Sequence, residues 1–224
     1  MSLQNFEKAR EAMVVSQLQP SGVVDEKVNS AYLSIPREMF VSEALRGVSY
    51  LDDDLPVGEG RFLLEPLILA KMVQDANLEK TSKVLDVAGG TGYSAAILSQ
   101  LVGEVYALDP SDKLLHAARL NWENLGLANI SAVLGRAQDG YAKAAKYDVI
   151  FINGAVAEPP KELIGQLALH GKLYCVLVKD GDTTGEITRY SVSDSGSLLQ
   201  FALGDAATAY VPGLMPQGKF EFQK

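Results

Sequence analysis

The residues that most clearly point to chemistry are three glycines, Gly89, Gly90 and Gly92, which follow a short apolar segment. That segment, residues 83–88, contains the run Val-Leu-Asp-Val-Ala and is typical of a strand buried on both faces. A glycine-rich turn between a strand and a helix brings backbone N–H groups close to a ligand. Residues 88–92, the glycine loop, therefore predict a binding site; the alternative is a tight turn that binds nothing.

Two acidic residues accompany the glycine loop. Asp86 lies in the strand before it, and Asp109 ends the next predicted strand. A carboxylate at the end of that second strand can accept two hydrogen bonds from ribose hydroxyls, and Asp86 lies where a cationic group of a ligand could sit. We therefore expect Asp109 to bind a ribose. The alternative role for Asp109 is to cap the helix that begins near Ser111.

Two familiar glycine motifs do not match the glycine loop. A dinucleotide fingerprint would need glycines at 88, 90 and 93, but Ala88 and Tyr93 occupy two of these positions. A phosphate-binding P-loop would need a Gly-Lys-Ser/Thr sequence, which is absent. The pattern thus disfavours both NAD and a P-loop nucleotide.

The elements that must position the glycine loop alternate between helix and strand from residue 66 onward. Hydrophobic spacing and apolar runs predict helices at 66–77, 93–101, 111–125 and 160–167, and strands at 83–88, 104–108, 130–134, 147–152 and 172–178. Segments 186–192, 197–203 and 208–211 follow without helices, which predicts antiparallel strands at one sheet edge. The expected fold class is a three-layer α/β/α sandwich with a mostly parallel, doubly wound sheet.

The composition restricts the partners. The chain has 224 residues, 47% of them hydrophobic, and a formal net charge of −8, which argues against a broad basic surface for nucleic acid or anionic membrane. The single cysteine, Cys175, lies in an apolar run and can form neither an internal disulfide nor a cysteine metal cluster. No apolar stretch reaches the roughly 18 residues of a membrane-spanning helix. These features predict a cytoplasmic protein with no nucleic-acid or membrane partner.

Five segments carry a resemblance to a known family: 35–41, 55–60, 84–93, 147–152 and 210–212. In this order they resemble the protein-L-isoaspartate O-methyltransferases, a family with a Rossmann-like sheet. The resemblance implies S-adenosylmethionine as cofactor and S-adenosylhomocysteine as product. It also implies that the methyl acceptor is a carboxylate of isoaspartyl residues in damaged protein, so that a protein or peptide is the substrate.

The resemblance also implies that two parts of the chain have different roles. Residues 1–65 would form a helical and loop extension that lines the substrate cleft, and residues 66–224 would form the Rossmann-like domain that binds the cofactor. The residues implied in cofactor binding are Asp86, Ala88, Gly89, Gly90, Gly92, Asp109, Pro110, Arg136, Ala137, Gln138 and Asn153. No metal is implied, and the consecutive acids at 52–54 are more typical of a solvated loop.

The chain departs from the family pattern near the reacting centre. The family sequence T-I-S-x-P aligns with residues 62–66, which places Leu64 where the family has a serine whose hydroxyl is taken to touch the reacting centre. The nearby Arg61 could instead clamp a substrate carboxylate in a bidentate manner. The alternative for Arg61 is a flexible surface side chain.

Two positions implied in cofactor binding also depart from the family pattern. Ala88 replaces the first glycine of the loop, and its methyl group would lie where backbone and ligand come close. Arg136 replaces the acid that faces the adenine, and a guanidinium cannot accept a hydrogen bond from the adenine amino group. Gln138 or Asp139 could accept that bond instead.

The remaining polar and aromatic candidates are predicted to be structural. His116 and His170 lack partners for a catalytic arrangement, whereas Trp122 and Leu125 are spaced to pack their helix on the sheet. Three functions stay open: isoaspartyl methylation, methylation of a less polar acceptor, and partner binding by a descendant without catalytic activity. The second is suggested by Leu64 and Leu67, the third by the three departures together.

Overall fold

Helices and strands alternate along most of the chain in the computed structural model, which describes residues 3–179, 182 and 184–216. The α-helices of this part are α1 (Leu3–Met13), α2 (Glu26–Ser34), α3 (Pro66–Ala76), α4 (Tyr93–Leu101), α5 (Asp112–Asn124) and α6 (Lys161–Gly165). The strands are β1 (Leu55–Gly58), β2 (Arg61–Leu63), β3 (Lys83–Val87), β4 (Glu104–Asp109), β5 (Ile130–Leu134), β6 (Tyr147–Val156), β7 (Leu167–Leu177), β8 (Gly185–Val192) and β9 (Leu198–Ala206). None of the helices described is long and apolar enough to cross a membrane.

The main sheet has seven strands in the order β5-β4-β3-β6-β7-β8-β9. The strands from β5 to β7 are parallel, whereas β8 pairs antiparallel with both of its neighbours. The chain moves outward from β3 through β4 to β5 and then returns to the other side of β3 as β6. Ligands of such sheets bind beyond the carboxyl ends of the strands at this reversal, and the glycine loop lies there.

One hydrophobic cluster joins the N-terminal segments to the sheet. Met13, Tyr32 and Leu64 pack in the same cluster as Ile97 of α4 and Phe151 of β6, and each of these side chains is at most 4% exposed. Burial of this kind contributes about 25 cal/mol for each Å² of apolar surface. The cluster crosses the predicted boundary at residue 65, and the division at that residue stays a prediction.

A second cluster covers the opposite face of the sheet with a thinner layer. Leu85, Ile150, Leu173 and Cys175 are fully buried in it, together with Leu163 of α6. Helix α6 has only five residues, and two 3-10 segments, Ala137–Asp139 and Ala142–Ala144, cover part of the same face. The three-layer prediction is confirmed, and Cys175 lies in the core as expected.

Most predicted elements are confirmed, with shifted ends. Helix α1 is continued by one π-helical segment, Val14–Leu18, within the extension predicted to be helical and looped, and the strand predicted at 172–178 begins earlier, at Leu167. The strand predicted at 208–211 is wrong. Its backbone bonds with Ala155 of β6 through Ala209 and Val211, so it crosses the carboxyl edge and does not extend the antiparallel edge.

Residues 35–60, part of the extension predicted to contain helices and loops, form several short elements. They include the 3-10 segments Arg37–Phe40 and Glu43–Val48, and strand β1, which pairs with β2 as a separate hairpin. These elements have three to six residues, too short for hydrophobic periodicity to reveal. The hairpin β1–β2 matters because it packs against the glycine loop.

Truncating a buried side chain in a central strand should lower the free energy of unfolding far more than truncating an exposed side chain in the edge strand. Ile150 in β6 is fully buried, whereas Leu134 in β5 is 59% exposed. We expect Ile150→Ala to lower the free energy of unfolding by about 2–5 kcal/mol and Leu134→Ala by less than about 0.5 kcal/mol. Urea denaturation measures both values, and equal losses would contradict the assignment of this core.

Candidate active site

The glycine loop begins with an alanine in an unusual backbone conformation. Ala88 has a φ of +60°, in the left-handed region, which costs a residue with a Cβ roughly 1–2 kcal/mol. Its N–H donates to the carbonyl of Leu108 at 2.8 Å, and its side chain is fully buried in the second cluster. The expected intrusion of the methyl group into the ligand side is therefore wrong, since this group packs into the core behind the loop.

Asp86 is the centre of a buried network that fixes the loop. One carboxylate oxygen accepts from Ser94 Oγ at 2.7 Å and the other from Asn153 Nδ2 at 2.7 Å. These bonds connect β3 to α4 and β6, and Asn153 also donates to the carbonyl of Val87 at 3.0 Å. A Cβ atom at Gly89 would lie 2.6 Å from both Asp86 Oδ2 and Ser94 Oγ, so the network requires glycine there.

The environment of Asp86 favours its neutral form. Burial, together with the nearby charge of Asp109, raises the pKa of this carboxyl to about 6, although the hydrogen bonds from Ser94 and Asn153 act in the opposite direction. The carboxyl is fully buried. A cation placed beside Asp86 would lower this pKa and stabilise the carboxylate, which is the electrostatic property expected of a site for a cationic ligand group.

Asp109 ends β4 and is also buried, at 1% exposure. Its Oδ1 accepts the backbone N–H of Ser111 at 2.9 Å, and its Oδ2 accepts Arg61 Nε at 3.0 Å. The alternative role as a helix cap is wrong because Ser111 caps α5, with Oγ accepting the N–H of Leu114 at 3.3 Å. The carboxylate of Asp109 is instead engaged by a guanidinium.

Arg61 reaches Asp109 from the hairpin β1–β2. Its side chain is 3% exposed, so the alternative of a flexible surface residue is wrong. A Cβ atom at Gly90 would lie 2.9 Å from Val57 Cγ2 and 3.3 Å from Arg61 Cβ, which shows how closely the hairpin covers the loop. The carboxylate that Arg61 holds in this structure is that of Asp109; a role as a substrate clamp stays a prediction.

Trp122 is a site residue that the sequence analysis placed only in the core. It packs α5 on the sheet as predicted, but its Nε1 also donates to the carbonyl of Gly92 at 2.8 Å. A Cβ atom at Gly92 would lie 2.5–2.6 Å from the indole ring. The signal available in the sequence was the position of Trp122 on the same helix face as Leu115, since both side chains line the site.

Several predicted cofactor residues come together at this end of the sheet. The residues that line the space there are Asp86, Gly89, Gly90, Gly92, Ala107, Leu108, Asp109, Leu115 and Trp122. The space itself is about 10 Å³, whereas pockets for small ligands have roughly 300–1,000 Å³. The donor and acceptor types of these residues fit an adenosyl group, whereas the volume of the space is too small for one.

The other predicted cofactor residues lie apart from this space. Arg136 is exposed and pairs with Asp139, with Nε donating to Oδ2 at 2.7 Å. Both oxygens of Asp139 accept from Arg136, and Gln138 is half-buried; the role of either residue as the adenine acceptor stays a prediction. Pro110 is exposed, and Ala137 is buried in the second cluster.

Leu64 lies at the start of the segment that leads into α3. Its side chain is 4% exposed in the first cluster, and its carbonyl accepts Arg37 Nη2 at 2.8 Å. Beside it, burial and then the charges of Asp52 and Asp54 raise the pKa of Glu65 to about 7. Within the described residues, no group of three His, Cys, Asp or Glu side chains is arranged to hold a metal.

The histidines take no part in this site. His116 is exposed on α5, and His170 lies at the other end of its strand, with Nε2 3.3 Å from the carboxylate of Asp194. Leu125 is partly buried against the first cluster, as its spacing predicted.

The sheet order and the glycine loop at its reversal define the Rossmann-like fold of the class I methyltransferases. A solved protein-L-isoaspartate O-methyltransferase superposes with a TM-score of 0.79 and 27% sequence identity, covering 90% of this chain. This chain covers 65% of that one, slightly less than two thirds of its length. A second structure, a beta-aspartate methyltransferase from Plasmodium falciparum in complex with S-adenosyl-L-homocysteine, shares the fold at a TM-score of 0.72, 18% identity and 91% and 96% coverage of the two chains.

Sequence comparison identifies the family. Residues 9–214 match the family described as protein-L-isoaspartate(D-aspartate) O-methyltransferase. Protein-L-isoaspartate O-methyltransferase 2 of Geotalea uraniireducens is 34% identical over 194 residues, covering 87% of this chain and 88% of the relative. The Koribacter versatilis relative is 37% identical over 171 residues, with 76% and 77% coverage. The chain belongs to the protein-L-isoaspartate O-methyltransferase family.

The raised pKa of Asp86 predicts a specific pH dependence of stability. Because the folded protein binds this proton more tightly than the unfolded chain, the Asp86 contribution to stability falls as pH rises from about 4 to about 6. The full effect is at most about 3 kcal/mol, since each pKa unit corresponds to about 1.4 kcal/mol. We expect Asp86→Asn, which can keep both hydrogen bonds, to remove this part of the dependence.

Urea denaturation at several pH values from about 4 to about 7 measures the effect. The control is Asp148→Asn, which replaces an exposed carboxylate at the start of β6 and should keep the slope of the unchanged protein. An Asp86→Asn variant whose stability varies with pH as much as that of the unchanged protein would contradict the role of Asp86.

Proposed function

We propose that this protein is an S-adenosylmethionine-dependent methyltransferase that esterifies the carboxylate of isoaspartyl residues in damaged proteins. The observation that carries the proposal is the family match over residues 9–214, which includes the glycine loop and both buried acids. The substrate would be a protein or peptide with a modified aspartyl carboxylate, and the activity would serve protein repair. A cytoplasmic location stays a prediction.

We infer that different residues along the carboxyl edge of the sheet bind different parts of the cofactor. Asp109 would accept hydrogen bonds from the ribose hydroxyls, and the glycine loop would lie against the ligand with its backbone N–H groups. Gln138 would accept from the adenine, and Asp86 would provide negative charge beside the cationic part of the cofactor. When bound, S-adenosylmethionine would supply a methyl group on a positively charged sulfur.

The proposed acceptor requires little acid–base chemistry. A carboxylate is already ionised at neutral pH, so the protein must orient it and exclude water rather than remove a proton. The family's serine hydroxyl is replaced here by the apolar Leu64. The loss of one well-placed hydrogen-bond donor typically lowers a rate by roughly 10²–10³. We therefore expect isoaspartyl methylation to be slow.

Leu64 also supports a second candidate function. An apolar side chain at the serine position, with Leu67 in the following turn of α3, would suit a less polar methyl acceptor. The cofactor site would be the same in both cases. The third candidate, a binding protein without catalysis, would be weakened by cofactor binding at micromolar affinity.

The direct test is methyl transfer from labelled S-adenosylmethionine to an isoaspartyl peptide. The matched control is the same peptide with a normal aspartyl residue. We expect base-labile label on the isoaspartyl peptide alone. If S-adenosylhomocysteine binds but neither peptide is labelled, the acceptor assignment is wrong. If neither binding nor transfer occurs, the methyltransferase proposal is wrong as a whole.

The role of position 64 can be separated from its packing by two variants. Leu64→Ser restores the hydroxyl of the family pattern, whereas Leu64→Ala removes a similar volume without adding one. Both should lose roughly 2–5 kcal/mol of stability because Leu64 is 4% exposed. We expect kcat of Leu64→Ser with the isoaspartyl peptide to exceed that of Leu64→Ala by roughly 10².

Equal kcat values for the two variants would show that a hydroxyl at this position does not act on the reaction. Circular dichroism at the assay temperature should confirm that both variants are folded.

A further inference from the structure

We propose that Arg61 gates the ribose subsite, so that cofactor binding requires the Arg61–Asp109 ion pair to open. The inference rests on the proposed function, because it concerns the same cofactor site. It assigns Arg61 a role in cofactor affinity, different from the substrate clamp that the sequence suggested. Arg61 would be a positioning residue that acts through Asp109, without participating in methyl transfer.

The first support is the occupation of the Asp109 carboxylate. Its Oδ2 accepts Arg61 Nε at 3.0 Å, and its Oδ1 accepts the N–H of Ser111 at 2.9 Å. The two side chains of the ion pair are 3% and 2% exposed. Each oxygen can accept a second hydrogen bond, so the guanidinium and a ribose would compete for the space beside Oδ2 and not for its last lone pair.

The second support is the small volume of the cavity at the site. The cavity beside the glycine loop is about 10 Å³, too small for an adenosine. Val57 and Arg61 of the hairpin lie close enough to Gly90 that a Cβ atom there would be 2.9 Å and 3.3 Å from them. Arg61 thus lies against Gly90 and Asp109, which both line this space, and its withdrawal would release Asp109 and widen the space beside it.

The third support is an unsatisfied hydrogen-bond donor in Arg61 when it is paired with Asp109. Arg61 Nη1 is buried and has no hydrogen-bond partner. A buried donor without a partner disfavours the state that contains it. The hairpin that carries Arg61 has only two short strands joined at Glu59 and Gly60, and two-stranded hairpins are marginally stable alone. Opening would return the guanidinium to water while the main sheet stays intact.

The thermodynamic consequence is a reduced apparent affinity. If only a fraction of the molecules has the pair open, the apparent Kd equals the intrinsic Kd divided by that fraction. A variant that cannot form the pair should therefore bind the cofactor product more tightly. The association rate constant should rise by the same factor, because the fraction of competent molecules rises.

The test compares the unchanged protein with Arg61→Met in calorimetric titrations with S-adenosylhomocysteine. Methionine keeps an extended side chain on the hairpin but cannot pair with Asp109. We expect Kd to fall by about tenfold or more in Arg61→Met. The matched control is Arg189→Met, which removes an ion pair with Asp75 of 2.9 Å on the β8 side of the sheet. Its Kd should equal that of the unchanged protein.

Trp122 provides a kinetic readout, since it is the chain's only tryptophan and bonds to Gly92 in the glycine loop. Stopped-flow fluorescence with S-adenosylhomocysteine should show a higher association rate constant in Arg61→Met and an unchanged dissociation rate constant. If Arg61→Met bound more tightly only because its dissociation rate constant fell, the gate would be overturned, because slower dissociation would indicate new contacts with the ligand. An equal or weaker affinity of folded Arg61→Met would overturn it as well.

Arg61→Met leaves a buried carboxylate without its cation, and circular dichroism must show that it folds. If it does not, Arg61→Gln, which keeps a neutral donor near Asp109, replaces it with the same expected direction. If the unchanged protein binds S-adenosylhomocysteine with micromolar Kd and the variant binds it no more tightly, the gate is overturned. The proposed function would stay intact. No binding by either protein at millimolar S-adenosylhomocysteine would overturn both.

Discussion

Two carboxylates buried at the carboxyl edge of the sheet impose the main constraint on this end of the molecule. A carboxylate removed from water needs donors or a cation around it. Asp86 obtains donors from Ser94 and Asn153, which ties β3 to α4 and β6. Asp109 obtains a cation from Arg61, which brings the hairpin β1–β2 over the glycine loop. The groups that satisfy these carboxylates therefore also hold α4, β6 and the hairpin together around the site.

The departures from the family pattern have different physical consequences. Ala88 keeps the left-handed backbone that a glycine would adopt freely, and its methyl group packs into the core, so the loop retains its path. Arg136 turns to solvent with Asp139 and does not enter the site. Leu64 removes a hydroxyl from the reacting centre implied by the family. Departures at Ala88 and Arg136 are thus accommodated locally, whereas the one at Leu64 bears on the chemistry.

Sequence reasoning was sufficient where the relevant pattern is local. The buried run at β3, the glycine loop and the alternation from residue 66 onward predicted the sheet and its binding edge. The hairpin β1–β2 was missed because its strands have four and three residues. The contacts of Arg61 with Asp109 and of Trp122 with Gly92 join positions 48 and 30 residues apart. Such pairs depend on tertiary packing, and no periodicity in one sequence specifies them.

The proposed gate requires that Arg61 and a cofactor ribose exclude each other at Asp109. A crystal structure of the protein with bound S-adenosylhomocysteine tests it most directly. We expect that in this complex the Arg61 guanidinium has left Asp109 and the ribose hydroxyls donate to the freed carboxylate. Bound S-adenosylhomocysteine with Arg61 Nε still about 3.0 Å from Asp109 Oδ2, as in the present structure, would contradict it.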